Sequence, residues 1–218
     1  MRRVLLSLLL ALPFALAASP AQATPPSVLN HVGSTTKVLT VTTRSWTSTV
    51  GDATAWQKTN GSWHAVRSQL AVRVGRAGFK TNRREGDGSS PAGTFLLRSA
   101  FGSAPDPGSH LGWKTVVANS CWSGERADYN RWVHRVCTAR DENLYASRRT
   151  AYRYAIVVGF NDSPAVYGKG SAIFLHQTIN QATSGCVAFS ATDITYLVRW
   201  MTPGTKIAMG PESYVATL

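Results

Sequence analysis

Acidic residues are scarce: 11 Asp and Glu face 23 Lys and Arg, a formal charge of +12. A chain this basic is drawn to polyanions, which outside a bacterial cell are wall polymers and membrane headgroups. Nucleic acid is the competing partner. The basic residues are scattered, however, from Arg44 and Lys58 to Arg148 and Arg149, with small clusters such as Arg83-Arg84 and no nucleic-acid motif. No nucleic-acid partner is therefore expected. Long apolar runs are missing after Ala18, so no stable membrane span is expected in the rest of the chain. Internal repeats and low-complexity tracts are missing too, which excludes solenoid architectures. Cysteine is nearly absent, and an odd count of three leaves at least one thiol outside any intramolecular pair.

What is present begins with a leader. Met1-Arg2-Arg3 is basic, Val4 to Ala18 is apolar, and Ala21-Gln22-Ala23 is a small-x-small cleavage site, so residues 1–23 read as a signal peptide. No lipobox cysteine stands near that site. Without the two leading arginines the formal charge falls from +12 to +10. The expected location is secreted and cell-wall associated, with the plainer reading of the excess charge, that it only aids solubility, standing beside wall attraction. Residues 24–37, with Thr24-Pro25-Pro26-Ser27, read as a short tether, and residues 38–218 as one domain long enough to bury a sizeable core.

That domain reads as mainly β. Strands are expected at Val38–Thr42, Ala53–Gln57, Trp63–Arg67, Ala71–Val74, Gly93–Leu97, Lys114–Val117 and Tyr154–Val158, punctuated by Gly, Ser, Asn and Pro. One helix is signalled near the C-terminus. Ser190 is its N-cap and Asp193 stands three residues on; Ile194, Leu197, Val198 and Met201 share a face, and Pro203-Gly204 stops it. Lys206–Met209 returns as a last strand.

Two stretches carry chemistry. Ser171–His176 and Ser184–Phe189 read as short buried strands that bring one histidine and one cysteine together. The thiolate is the nucleophile in thiol acyl transfer, a free cysteine has a pKa of about 8.5, and an imidazole is the partner that titrates near neutrality. Gly185 lets the backbone pass close to a ligand, and amides at such a turn can hold an oxyanion. The plainer reading is a buried structural cysteine beside a satisfied core histidine. Cys121 and Cys137 flank an insertion rich in polar and aromatic residues. A bridge between them closes a loop of about 15 residues, contributes roughly 3 kcal/mol in the chain-entropy model, and leaves Cys186 as the free thiol. Two other arrangements stand: Cys186 paired with one of them, or a zinc site from Cys121, His134 and Cys137, whose spacing matches no common finger.

Several segments, in order, resemble the L,D-transpeptidase catalytic domain family (YkuD-like), and its secreted branch in particular. They are Gly75–Phe79, Arg84-Glu-Gly-Asp-Gly-Ser-Ser-Pro-Ala-Gly-Thr-Phe95, Cys121-Trp122 with Tyr129-Asn130, Gly168–His176 and Thr183-Ser-Gly-Cys-Val187. The resemblance implies a β-sandwich or open barrel with one helix near the C-terminus, acting on peptidoglycan stem peptides. Cys186 would attack the carbonyl of a diamino acid's L-centre and expel the terminal D-alanine. His176 would polarise the thiol, oriented by the main-chain carbonyl of Gln177, while amides at Ser184, Gly185 and Cys186 would hold the oxyanion. An amine or water would then resolve the thioester, giving a cross-link or a carboxypeptidase product. No metal or organic cofactor is expected.

The chain departs from the family pattern near the thiol. Many members carry His-Gly, then a longer spacer, then Ser-His-Gly-Cys with an arginine or asparagine two residues on. Here Gln177 follows His176, nine residues separate His176 from Cys186, Ser184 stands in place of the second histidine, and Ala188 in place of the arginine. Arg148 or Arg149 are candidates for the missing cation, against the plainer reading of solvated surface charges. Glu85 and Asp87 supply too few oxygens for calcium and read as a turn shaping the cleft wall. The alternatives are another thiol wall enzyme (amidase, endopeptidase or sortase-like) and a wall-binding module without turnover. The oligomeric state is open, with a monomer expected.

Overall fold

The structure is a computed structural model and describes residues 26–218. The expected signal peptide and the first residues of the tether lie outside the described residues. Along the chain, β1 (Lys37–Thr43), β2 (Val50–Thr59) and β3 (Ser62–Arg73) form a meander, and the short β4 (Phe79–Lys80) and β5 (Ser90–Pro91) bracket the Gly-rich loop. β6 (Gly93–Gly102) and β7 (Trp113–Thr115) follow, then β8 (Ser120–Trp122), β9 (Trp132–His134) and β10 (Glu142–Asn143) in a small sheet of their own. The chain ends with β11 (Ala155–Val158), β12 (Phe174–Gln177), β13 (Val187–Phe189), α1 (Ala191–Trp200), β14 (Lys206–Pro211) and α2 (Glu212–Val215).

The main sheet runs β11-β12-β13-β3-β2-β1-β14-β6-β7, and β11 also pairs with β6, so the order returns to its start. The result is a closed ring that removes most of the edge strands an open sheet would expose. Local residues dictate its details. Asn60 and Gly61 both adopt positive φ, 51° and 82°, in the two-residue turn that sets Thr59 opposite Ser62. The two strands expected at Trp63–Arg67 and Ala71–Val74 are one strand, kinked where Gln69 (φ 57°) forms a bulge opposite Thr54.

Inside the ring lies the main core, which gathers Leu39, Val72, Leu175, Val187, Phe189, Ile207 and Met209 with the inner face of α1. Ser190 caps α1 as expected. Its hydroxyl accepts the Asp193 N–H at 3.1 Å and donates to the Asp193 carboxylate at 2.6 Å, while Ile194, Leu197, Val198 and Met201 are fully buried. Each such side chain contributes roughly 1.5–3 kcal/mol. The segment expected to be a tether is instead packed from Val28 onward. A 3₁₀ turn at Ser27–Asn30 buries Val28, Leu29 and Val32 against Val38, Trp56 and Val215, because three apolar residues in seven are too many to leave in water.

A second apolar cluster covers the outer face of the ring, where Phe174, Ala155, Val157 and Phe101 meet Val116, Leu144 and Tyr152 from the insertion between β7 and β11. Cys121 and Cys137 are joined by a disulfide there, with Cα atoms 5.7 Å apart. The bridge takes both thiols that a zinc site would need, and leaves Cys186 free.

Candidate active site

β12 and β13 run parallel, with Leu175 opposite Val187 and His176 opposite Ala188. Alternation along each strand sends Leu175, Val187 and Phe189 into the main core, and Phe174 and Cys186 to the insertion side. Cys186 is 8% exposed and His176 7%. They line one cleft of about 420 Å³, together with Tyr152, Glu142, Arg83 and Ser184.

The sulfur is held by backbone. Phe174 N–H donates to Cys186 Sγ at 3.4 Å, and the thiol donates to Ala172 O at 3.3 Å. Ala172 takes a left-handed φ of 54°, which costs an alanine about 1 kcal/mol. The insertion holds it there. Asn130 Oδ1 accepts both Ala172 N–H (3.1 Å) and Trp122 Nε1–H (2.7 Å), while Asn130 Nδ2 donates to Phe160 O and Asn161 O. The Cys-Trp and Tyr-Asn motifs therefore set the strap that caps the thiol.

His176 Nδ1 donates to Gln177 O at 2.8 Å. The neutral ring then keeps its lone pair on Nε2, the tautomer a general base needs. Tyr152 stands edge-on to the imidazole, centroids 5.8 Å apart, and its hydroxyl donates to Glu142 Oε1 at 2.8 Å. Burial pushes the Cys186 thiol up to about 12; the Phe174 N–H and the Arg83 cation work against that push, and the Glu142 charge adds to it. Burial pulls His176 below its ordinary value, opposed by the bond to Gln177. Burial raises Glu142, opposed by the Tyr152 hydroxyl. Both shifts favour the uncharged pair, a thiol and an imidazole. Among the described residues no hydrogen bond joins them.

The turn before the thiol differs from expectation at one amide. Gly185 N–H is directed to Thr183 Oγ1 at 3.1 Å, and that hydroxyl donates to Cys186 O at 2.7 Å. Gly185 N–H is thereby committed within the turn, and the amides of Ser184 and Cys186 remain the candidate oxyanion donors. Gly185 is still required as glycine: its φ is 144°, and a Cβ there would lie 2.8 Å from Ser89 O. Ser184 Oγ accepts from Arg76 Nη1 at 3.1 Å.

The Gly-rich loop shapes the cleft wall. Burial disfavours the Asp87 charge, yet bonds from Ser89 Oγ, Ser89 N–H, Arg84 N–H and Lys80 together hold it well below the usual carboxylate range. Glu85 accepts from Tyr129 Oη, and from Ser171 Oγ at 2.8 Å. Arg148 is not in the cleft. It stacks 3.7 Å over the Tyr145 ring and donates to Tyr145 O. The buried cation at the site is Arg83, which the sequence marked only as half of an Arg-Arg cluster. Tyr152 and Glu142 were likewise not singled out, since neither belongs to a motif of its own.

Among solved structures, the chain is similar to Mycobacterium tuberculosis L,D-transpeptidase 1, at 13% identity over 80% of this chain and 62% of that one, with a TM-score of 0.35. It is also similar to the L,D-transpeptidase LdtMt1 in complex with imipenem, at 13% identity over 80% of this chain and 58% of that one, with a TM-score of 0.37. The chain thus spans about three fifths of the length of these structures. No curated protein matches. The sequence profile of the L,D-transpeptidase catalytic domain, YkuD, matches residues 51–209 and so takes in nearly all of the ring, the insertion, the cleft and α1. The chain belongs to the YkuD family of L,D-transpeptidase catalytic domains.

Proposed function

We propose that this protein is an exported cysteine acyltransferase acting on peptidoglycan stem peptides, an L,D-transpeptidase with L,D-carboxypeptidase activity when water is the acceptor. One observation carries the reading: the free thiol and an imidazole fixed through Nδ1 lie on adjacent parallel strands and open into one cleft. The high thiol pKa makes the proton transfer part of the reaction. Cys186 Sγ attacks the scissile carbonyl as its proton passes to His176 Nε2, and the amides of Ser184 and Cys186 take the developing oxyanion. The C–N bond then breaks, the imidazolium proton goes to the departing D-alanine amine, and a thioester remains. An incoming amine, deprotonated by His176, forms the new C–N bond and releases the sulfur.

Export rests on the leader and on the disulfide, which persists in oxidising compartments. The charge of +10 after cleavage favours residence on an anionic wall, and the protein acts as a monomer without a cofactor. The wall-binding reading draws on one observation, the thiol resting protonated against Ala172 O. A single experiment separates the two. Muropeptides with a tetrapeptide stem lose D-alanine or dimerise with the wild type, with an acyl adduct on Cys186 by mass spectrometry, and remain intact with Cys186→Ala. Intact muropeptides with the wild type, together with retained wall binding, would establish the binding module.

A further inference from the structure

Arg83 is the least satisfied charged group in the core. It is 4% exposed, yet among the described residues its Nε and Nη1 have no hydrogen-bond partner. Buried guanidinium groups are normally paired, because their donors lose water on burial and gain nothing otherwise. The nearest carboxylate, Asp87 Oδ1, is 3.9 Å from Nε, outside hydrogen-bond reach, and already accepts two bonds from Ser89. The Phe160 ring lies 5.6 Å beneath the guanidinium. Two glycines make room for it: a Cβ at Gly170 would meet Nη1 at 2.0 Å, and one at Gly185 would meet Nη2 at 3.3 Å. Gly185 directly precedes the candidate nucleophile. Arg83 lines the catalytic cleft and also a cavity of about 910 Å³ beside Phe160 and Lys169.

We propose that Arg83 is a carboxylate anchor, holding the terminal carboxylate of the acyl donor's leaving residue beside Cys186. The inference rests on the stem-peptide reading above and names a subsite of that cleft. With the scissile carbonyl at the sulfur, the leaving residue's carboxylate lies one residue further on, about 3.8 Å between Cα atoms. Gly185, the residue directly before the thiol, has Nη2 as a neighbour, and Arg83 and Cys186 line one cleft. The planar fork of a guanidinium matches a carboxylate in a way a neutral amide cannot reproduce. The anchor also accounts for Ala188: the cation enters from the Gly-rich loop, across the cleft from β13. Gly170 and Gly185 are then glycines in part because any side chain would displace the guanidinium.

Two synthetic tetrapeptide stems test this, identical except that the terminal D-alanine is a free acid in one and a carboxamide in the other. Turnover by the wild type is compared with calorimetric binding to Cys186→Ala, with and without Arg83→Gln and Arg83→Lys. The expected result is a roughly ten- to hundredfold preference for the acid, expressed mainly in KM and Kd, abolished by Arg83→Gln and partly restored by Arg83→Lys. Equal handling of acid and amide by the wild type overturns the anchor and leaves the transpeptidase standing. Preferential binding of the acid without turnover leaves the anchor and overturns the transpeptidase. A variant that loses acid and amide equally assigns Arg83 a structural role only and overturns the anchor. Because the first comparison needs no substitution at Arg83, misfolding of the variants does not shelter the proposal.

Discussion

Asp141 and Glu142 are neighbours in sequence and opposites in environment. Asp141 faces the hub of the insertion, where it accepts two bonds from Arg135 at 2.8 and 3.0 Å and the N–H groups of Gly124 and Thr138. Arg135 also donates to Asp128 and Ser123. The Arg135 bonds hold the Asp141 carboxyl down at about 2 against the opposing effect of burial. Glu142 opens the strand that turns the other way, into the cleft, where its one side-chain bond among the described residues is from Tyr152 and burial raises it. One region saturates its charges with partners and is structural. The other holds Glu142, half-buried with a single bond among the described residues, beside Arg83, buried with two donors unpartnered among them, and shifted ionisations of this kind gather where a site changes charge.

The largest effect is expected at the cleft's base. His176→Gln should lower D-alanine release by roughly 10²- to 10⁴-fold while the melting temperature moves little, since the ring's one hydrogen bond among the described residues is to Gln177 O and glutamine keeps a polar side chain of similar size beside Tyr152. A loss of turnover that tracks a loss of folding would place His176 with the structural groups. Next comes the disulfide. Cys121→Ala with Cys137→Ala should lower stability by roughly 3 kcal/mol, read from denaturant midpoints. Turnover should fall as well, because the insertion that the bridge closes also carries Asn130, the holder of the Ala172 strap. Unchanged turnover would show that the cleft does not depend on the hub.

How much of this the sequence disclosed follows the same division. Most strands of the ring and α1 were legible because alternation and capping are local. Ser190, Asp193 and the Ile194/Leu197/Val198/Met201 face lie within one stretch of twelve residues, and two short strand-like stretches drew attention to His176 and Cys186 as a pair, which the structure sets in one cleft. Closure by β11 against β6 was not legible, since it joins Ala155 to Phe101 over more than fifty residues without a local signal. Arg83 was missed for a related reason. A buried arginine and a surface arginine look alike in sequence, and only Gly170 and Gly185, far along the chain, record the space it occupies. The commitment of Gly185 N–H to Thr183 depends on a side-chain rotamer, which no spacing rule supplies.

The pH responses of the two neighbours sharpen the comparison. Asp141 has a depressed pKa, so its contribution to stability is present above the ordinary carboxylate value and is lost as pH falls through about 2. Glu142 has a raised pKa, so stability falls as pH climbs from the ordinary carboxylate value to the raised one and levels off above it. Asp141→Asn should therefore lower the melting temperature at pH 6, with the difference fading toward pH 2. Glu142→Gln should leave it unchanged or raise it. The thiol responds to one of them. Alkylation of Cys186 by iodoacetamide should be slow at pH 7 and rise about tenfold per pH unit. Glu142→Gln should accelerate it several-fold by removing a charge that opposes the thiolate, and Asp141→Asn should not. Equal acceleration by both would erase the distinction between hub and cleft.

The smallest effect is expected where the charge is satisfied and remote. Ser190→Ala removes the acceptor for Asp193 N–H and frees the Asp193 carboxylate from the capping pair, so it should cost about 1 kcal/mol. Asp193 keeps its bond from Arg67 at 2.7 Å, which limits the loss. The inner face of α1 packs Ile194, Leu197 and Val198 into the main core, on the opposite side of β13 from Cys186. A frayed first turn should therefore leave D-alanine release and the pH profile of alkylation within twofold of the wild type, as measured below the variant's melting range. A shift in that profile would mean that the two faces of β13 are coupled: the ring would then transmit strain from its core to the thiol.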